Sequence, residues 1–146
     1  METLFSILHV VAGVFIVGPM AILPMTGMRA IRAREAGQVQ TLAKSVSVFT
    51  LLSLVVVLFG FALLGTSDHN SFSTTWVWLS TVFYAVALGL NLFLVVPALR
   101  SAAENVTTAA GSAATGKVAG YARIAAGSGI VSLLLVAVVV LMVWRP

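Results

Sequence analysis

The sequence predicts an all-α integral membrane protein, a four-helix bundle that forms a single domain over residues 1–146. The first observation is composition: 60% of the residues are hydrophobic and only 8% are charged, which is too little charge to cover a soluble domain. The second is a mean hydropathy of +1.12. The third is length, because a helix needs about 20 apolar residues to cross about 30 Å of hydrocarbon, and the chain has room for four.

Four apolar runs are long enough to cross a bilayer, at about 3–28, 41–65, 74–99 and 118–144. The first run contains Pro19, which cannot donate a backbone hydrogen bond and clashes with the carbonyl of Phe15, so we expect a kink there. Asn91 is the only amide side chain within the four runs. We expect it either to donate to the carbonyl that the kink frees or to make another polar contact between helices.

The fourth run is rich in small residues at the spacing of helix-packing motifs. Gly116 and Gly120 form a GxxxG pair, and Ala125 with Gly129 forms a second small-xxx-small pair. Because small residues let helix backbones approach closely, we expect this face to pack against another helix of the bundle or against a partner.

Basic residues alternate between the connections. The segment between the second and third runs, residues 66–73, has none, whereas the other two connections carry Arg29, Arg32, Arg34, Lys44, Arg100, Lys117 and Arg123. By the positive-inside rule these two connections are cytoplasmic, which places both termini outside. The basic residues lie at helix ends and therefore indicate membrane orientation, with the lipid bilayer and not nucleic acid as the partner. We expect the protein to lie in a bacterial inner membrane.

A weak internal repeat suggests two helical hairpins in the same orientation. Ala43-Lys44 precedes Ser53-Leu54 by ten residues in the second run, and the fourth run repeats this spacing with Ala122-Arg123 and Ser132-Leu133. Pro24 and Pro97 each precede an arginine near the end of an odd-numbered run. Chance similarity between apolar helices is the alternative.

Two histidines are the candidates for a cofactor site. His9 lies within the first run, where an ionisable residue indicates function, and His69 lies in the second connection beside Asp68. Two imidazoles and a carboxylate are ligands for haem or copper. The alternative is that His9 hydrogen-bonds a neighbouring helix and His69 faces water.

The sequence lacks the residues that several kinds of chemistry require. No Asp or Glu lies within the apolar runs, which argues against a proton-coupled carrier, and the chain has no cysteine for thiol chemistry. The sequence contains no Ser-His-Asp set, phosphate loop or paired carboxylates. Enzyme activity therefore remains open only through a bound cofactor.

The opening of the chain resembles a known family. Leu8-His9-Val10-Val11, then Gly18-Pro19 and a basic connection, is similar to the start of four-helix bacterial integral membrane proteins of unknown function that are common in actinobacteria. More distantly, His9 in a first helix is similar to the copper-resistance D-like and membrane protoporphyrinogen-oxidase families. The first resemblance implies the fold, and the second implies haem or metal chemistry, although the further in-membrane histidines of the haem-using family are not found here.

Three functions follow from this sequence. The first is a non-catalytic accessory or assembly subunit of a larger membrane complex, such as a respiratory complex, with other membrane proteins or a second copy as partner. The second is a haem- or metal-binding protein that acts through His9 and His69. The third is a small-molecule transporter, for which His9 and Asn91 are the only in-membrane polar residues that hint at a pathway.

Overall fold

A computed structural model describes residues 1–68, 71–109 and 121–146, with the side chains of residues 106–109 outside the description. Over these residues the chain is helical, and four helices are long and apolar enough to cross a membrane. We name them helices 1 to 4 in chain order: Glu2–Arg32, Ala36–Thr66, Thr75–Asn105 and Tyr121–Trp144. The predicted all-α four-helix membrane fold is confirmed, and each helix lies within a few residues of the expected apolar run.

Helices 1 and 3 are each interrupted by one π-helical turn. In helix 1 the order is α-helix Glu2–Ala12, π-turn Gly13–Val17 and α-helix Gly18–Arg32. Helix 3 begins with Thr75–Leu90 and the π-turn Asn91–Val95 and continues in Val96–Ala109, whose last four residues lie beyond the apolar span that ends at Asn105. Each π-turn ends two residues before a proline, Pro19 or Pro97. The π-turn keeps the backbone hydrogen-bonded up to the proline, which has no N–H of its own to donate.

This shared feature corrects the alignment of the two hairpins. The sequence suggested that Pro24 corresponds to Pro97, but Pro24 lies inside a regular α-helical segment. The π-turns instead pair Pro19 with Pro97, 78 residues apart. Under this alignment Gly13 corresponds to Asn91, and His9 corresponds to Ala87.

Two side-chain hydrogen bonds join the hairpin of helices 1 and 2 to the hairpin of helices 3 and 4. Ser53 of helix 2 hydrogen-bonds Tyr84 of helix 3, and Ser132 of helix 4 donates to the carbonyl of Ala21 in helix 1 at 3.3 Å. In each case a serine on the second helix of one hairpin binds the first helix of the other. The two contacts are not at equivalent positions, because with Pro19 aligned on Pro97 Tyr84 corresponds to Ser6 and not to Ala21.

The two clusters of buried residues lie toward one end and near the middle of the bundle, and further buried residues such as Val77 and Val138 lie toward the other end. We call the end that holds residues 32–36 the basic end, and the end that holds both termini the terminal end. One buried cluster at the basic end joins all four helices and includes Ile31, Val46, Leu99 and Ile124. A second, near the middle, contains Met20, Ala87, Val131 and Leu135. The segment Glu2–Ala12 at the terminal end has no buried residue and packs on helix 2, while helix 3 packs on helix 4.

A three-residue turn joins helices 1 and 2 at the basic end. The backbone N–H of Arg34 donates to Ile31, and that of Glu35 donates to Ala30. These two bonds satisfy carbonyls at the end of helix 1, in the pattern that usually has glycine at its left-handed position. Here Arg34 occupies it, with φ of 56°. A connection this short fixes the two helices antiparallel and holds the arginines at the bundle end.

Candidate functional site

His9 of helix 1 contacts helix 2 near the terminal end. Its Nδ1 lies 2.8 Å from the carbonyl oxygen of Val56. Because a carbonyl only accepts, Nδ1 carries the hydrogen, and the other ring nitrogen of a neutral imidazole is then an acceptor. Nε2 makes no hydrogen bond with any residue that the structure describes. A histidine held through Nδ1 by a backbone carbonyl has the orientation that metal- and haem-ligating histidines use.

Gly60 makes this contact possible. A Cβ atom at residue 60 would lie 3.0 Å from Cε1 and 3.2 Å from Nδ1 of His9. Gly60 therefore leaves space for the imidazole of His9. It lies one helical turn after Val56, whose carbonyl the imidazole binds. The hydrophobicity pattern gave no sign of this role, because glycines also occur at residues 13, 18 and 65 with nothing near their Cβ positions.

The second candidate ligand, His69, lies outside the described residues, so its position relative to His9 stays a prediction. Its neighbour Asp68 is exposed after the end of helix 2. Within residues 1–68, 71–109 and 121–146, no three His, Cys, Asp or Glu side chains come together to hold a metal ion. His9 is the only histidine among the residues that the structure describes.

Asn91 is completely buried near the middle of the bundle and bridges helices 3 and 2. Its Nδ2 donates to the hydroxyl of Thr50 at 2.6 Å, and that hydroxyl donates to the carbonyl of Val46 at 2.6 Å. Of the two alternatives expected for Asn91, the carbonyl of Phe15 and a polar contact with another helix, the structure has the second. Phe15 is 70% exposed on helix 1. At the end of the π-turn the N–H of Gly18 donates to the carbonyl of Gly13.

A second hydrogen-bonded pair joins the same two helices. The hydroxyl oxygens of Ser53 and Tyr84 are 2.5 Å apart, and Ser53 donates to the carbonyl of Thr50 at the same distance. Tyr84 is therefore the donor to Ser53. Together with the Asn91 contact, this gives helices 2 and 3 two polar links within two helical turns, at a depth where water does not compete.

Two buried side-chain oxygens have no partner in the described part of the chain. They are Oδ1 of Asn91 and Oγ of Ser80, both on helix 3. An unpaired buried acceptor costs about 1–3 kcal/mol. Asn91 thus stabilises helix pairing through its N–H group while its oxygen offsets part of that gain.

The small residues of helix 4 lie differently from the prediction. Gly116 and Gly120 are outside the described residues. A Cβ at Gly129 would meet nothing within 4 Å, so this glycine makes no close contact with another described helix of the bundle, and a contact of Ala125 and Gly129 with a partner stays a prediction. Gly127 makes the close contact within the bundle instead: a Cβ there would collide with Leu94 and lie 3.1 Å from Cγ2 of Val95. The close approach is to the π-turn of helix 3, whose extra width brings these side chains toward helix 4.

The helices and their polar contacts define a class: a small multi-pass membrane protein of four helices, held together by hydrogen bonds between side chains and neighbouring helices. Residues 3–146 match the model of a family described as predicted integral membrane proteins, DUF2269. The chain belongs to this family. No curated protein and no solved structure matches the chain.

Proposed function

We propose that this protein is a non-catalytic accessory or assembly subunit of a larger bacterial membrane complex, such as a respiratory complex. One observation carries the proposal: several polar side chains within the helices join one helix of the bundle to another. His9 binds helix 2, Asn91 and Tyr84 join helices 3 and 2, and Ser132 joins helix 4 to helix 1. Side chains in such contacts stabilise the arrangement of the helices and are poorly placed to bind a transported substrate.

The outward surface supports the same proposal. Large apolar side chains are exposed on every helix, among them Ile22 at 63%, Leu58 at 66%, Phe93 at 84% and Leu133 at 72%. Lipid covers such side chains in a lone bundle, and a partner helix covers part of them in a complex. The loosely packed Glu2–Ala12 segment, which has no buried residue, is a further surface for a neighbouring subunit.

Site-specific photo-crosslinking in native membranes tests the proposal. A photoreactive residue at Ile22, Leu58, Phe93 or Leu133 samples one helix each. We expect one membrane protein to be captured repeatedly from one or two of these positions and not from the others. Deletion of the chain should then lower the amount or activity of the complex that contains the captured protein. Absence of protein adducts from all four positions, with every membrane complex unchanged on deletion, would contradict it.

A second candidate is a haem-binding membrane protein that uses His9, and the Nδ1 hydrogen bond to Val56 is the observation in its favour. That bond fixes the imidazole and leaves Nε2 for an axial iron ligand. The purified protein should then show a haem absorption band that His9→Ala removes and that Val10→Ala, at an exposed neighbour, retains. A colourless preparation that takes up no added haem excludes this candidate. Transport is not proposed, because His9 and Asn91, the residues that hinted at a pathway, both bind neighbouring helices.

A further inference from the structure

A groove of about 240 Å³ lies on the surface between helix 1 and helix 4, toward the basic end. Its wall from helix 1 contains Met25, Met28, Arg29 and Arg32, and its wall from helix 4 contains Tyr121, Ala125, Ser128 and Gly129. The groove is apolar along most of its length and carries two arginines at one end. The small residues Ala125 and Gly129 thus leave a furrow where the sequence suggested a helix contact.

The depth of the groove matches the boundary between acyl chains and headgroups. Helix 1 runs from Glu2 to Arg32, so its centre is near residue 17. Arg29 is twelve residues beyond that centre, or about 18 Å along the axis at about 1.5 Å per residue. The hydrocarbon half-thickness is about 15 Å. Arg29 therefore lies at the depth of the lipid phosphates. Met25 and Gly129 line the deeper part of the groove, at the level of the acyl chains.

Both arginines are accessible to a ligand, and the guanidinium of Arg32 is held in place by a neighbouring aromatic ring. Both are exposed, and the guanidinium of Arg32 lies 5.3 Å from the centre of the Tyr121 ring on helix 4. A cation over an aromatic ring at this distance is held by the ring's negative face. This contact holds Arg32 at the groove, one helical turn from Arg29. Arginine recognises phosphate through several N–H groups at once.

We propose that this groove is a binding site for an anionic phospholipid, with one acyl chain along Met25, Ala125 and Gly129 and the phosphate between Arg29 and Arg32. Two positive charges exceed the single negative charge of a phosphodiester, so a headgroup with no positive charge of its own is favoured over a zwitterionic one. The site faces one leaflet only, whichever side of the membrane the basic end occupies. This inference is independent of the proposed accessory role.

Native mass spectrometry of the full chain, purified in a mild detergent, tests the proposal with phosphatidylglycerol and phosphatidylcholine as probes. We expect a retained phosphatidylglycerol adduct and weaker retention of phosphatidylcholine. The double variant Arg29→Gln with Arg32→Gln should weaken phosphatidylglycerol binding by about fivefold for each arginine removed. The matched control is Lys44→Gln with Arg100→Gln, which removes the same charge from exposed residues near the same end but outside the groove.

Two further measurements test whether binding needs the acyl chain as well as the phosphate. Gly129→Leu fills the furrow where no atom lies near the glycine, so it should keep the helical content and lose both lipids. Inorganic phosphate alone should not raise the unfolding temperature. Equal retention of the two lipids, equal loss in the groove and control variants, or full stabilisation by inorganic phosphate would each overturn the proposal.

Discussion

Nδ1 of His9 in helix 1 donates a hydrogen bond to the backbone carbonyl of Val56 in helix 2, across 2.8 Å. The second hairpin has no such bond. With Pro19 aligned on Pro97, His9 corresponds to Ala87, and Ala87 packs in an apolar cluster with Leu135 of helix 4. The corresponding position in helix 3 therefore accepts an apolar side chain, so packing alone does not require a histidine. The imidazole adds something specific to the first hairpin, either its polar link to helix 2 or a ligand on Nε2.

Loss of this contact should be measurable in stability. His9→Ala removes one hydrogen bond and should lower the free energy of unfolding by about 1 kcal/mol. Gly60→Ala should have a similar effect without touching the histidine, because the new Cβ lies 3.0 Å from Cε1 and pushes the ring away. Thermal unfolding in detergent, followed through tryptophan fluorescence, measures both. Gly65→Ala is the control, since nothing lies near its Cβ, and an equal loss there would contradict this account.

The link between Asn91 and Thr50 should appear as a coupling energy. Asn91→Ala and Thr50→Val each remove one partner of the 2.6 Å hydrogen bond. In a double-mutant cycle we expect the two changes to be coupled by about 0.6 kcal/mol, up to about 1.7 kcal/mol. The pair Asn91→Ala and Thr41→Val provides the control, because Thr41 is exposed near the start of helix 2. Additive effects of Asn91 and Thr50 would show that their contact contributes nothing to stability.

The number and the approximate bounds of the four helices could be predicted from the sequence. Apolar length alone determines them in a bilayer, since a spanning backbone must satisfy its hydrogen bonds internally. That His9 takes a partner on a neighbouring helix was also one of the two alternatives at the sequence level. The requirement is general: a polar group away from water needs a partner, whichever residue supplies it.

The choice of partner could not be predicted. Asn91 binds Thr50 and not the carbonyl of Phe15, and helix 1 has a π-turn over Gly13–Val17 before Pro19. Whether a π-turn precedes a proline depends on backbone adjustments that local sequence does not specify. The same limit applies to helix 4, where Gly127 and Gly129 are equally small. Only the rotation of the helix about its axis decides that Gly127 meets Leu94 while Gly129 faces the groove.

Membrane orientation remains a prediction, and the structure sharpens its test. Both termini lie at the end opposite the turn at residues 33–35, so one measurement orients the bundle. The arginine-rich connections predict that both termini are outside. A C-terminal alkaline phosphatase, active only outside the cytoplasm, should be active, and a cytoplasm-dependent reporter at the same position should be silent. Arg145→Gln should leave this pattern unchanged, because that arginine lies 5.7 Å from the ring of Trp76 at the terminal end. The reverse reporter pattern would mean that the orientation is wrong.

The two glycines of helix 4 offer the most direct test of the packing. Gly127→Ala places a methyl group against Leu94 and Val95 on the π-turn of helix 3, and overpacking of this kind costs about 1–3 kcal/mol. Gly129→Ala meets nothing within 4 Å, and alanine favours the helix over glycine by up to about 1 kcal/mol, so this variant should be neutral or slightly more stable. Unfolding temperatures of the two variants, measured side by side in one detergent, should therefore move in opposite directions. If Gly129→Ala is the more damaging change, helix 4 is rotated from the position described here, and Ala125 with Gly129 is the packed face after all.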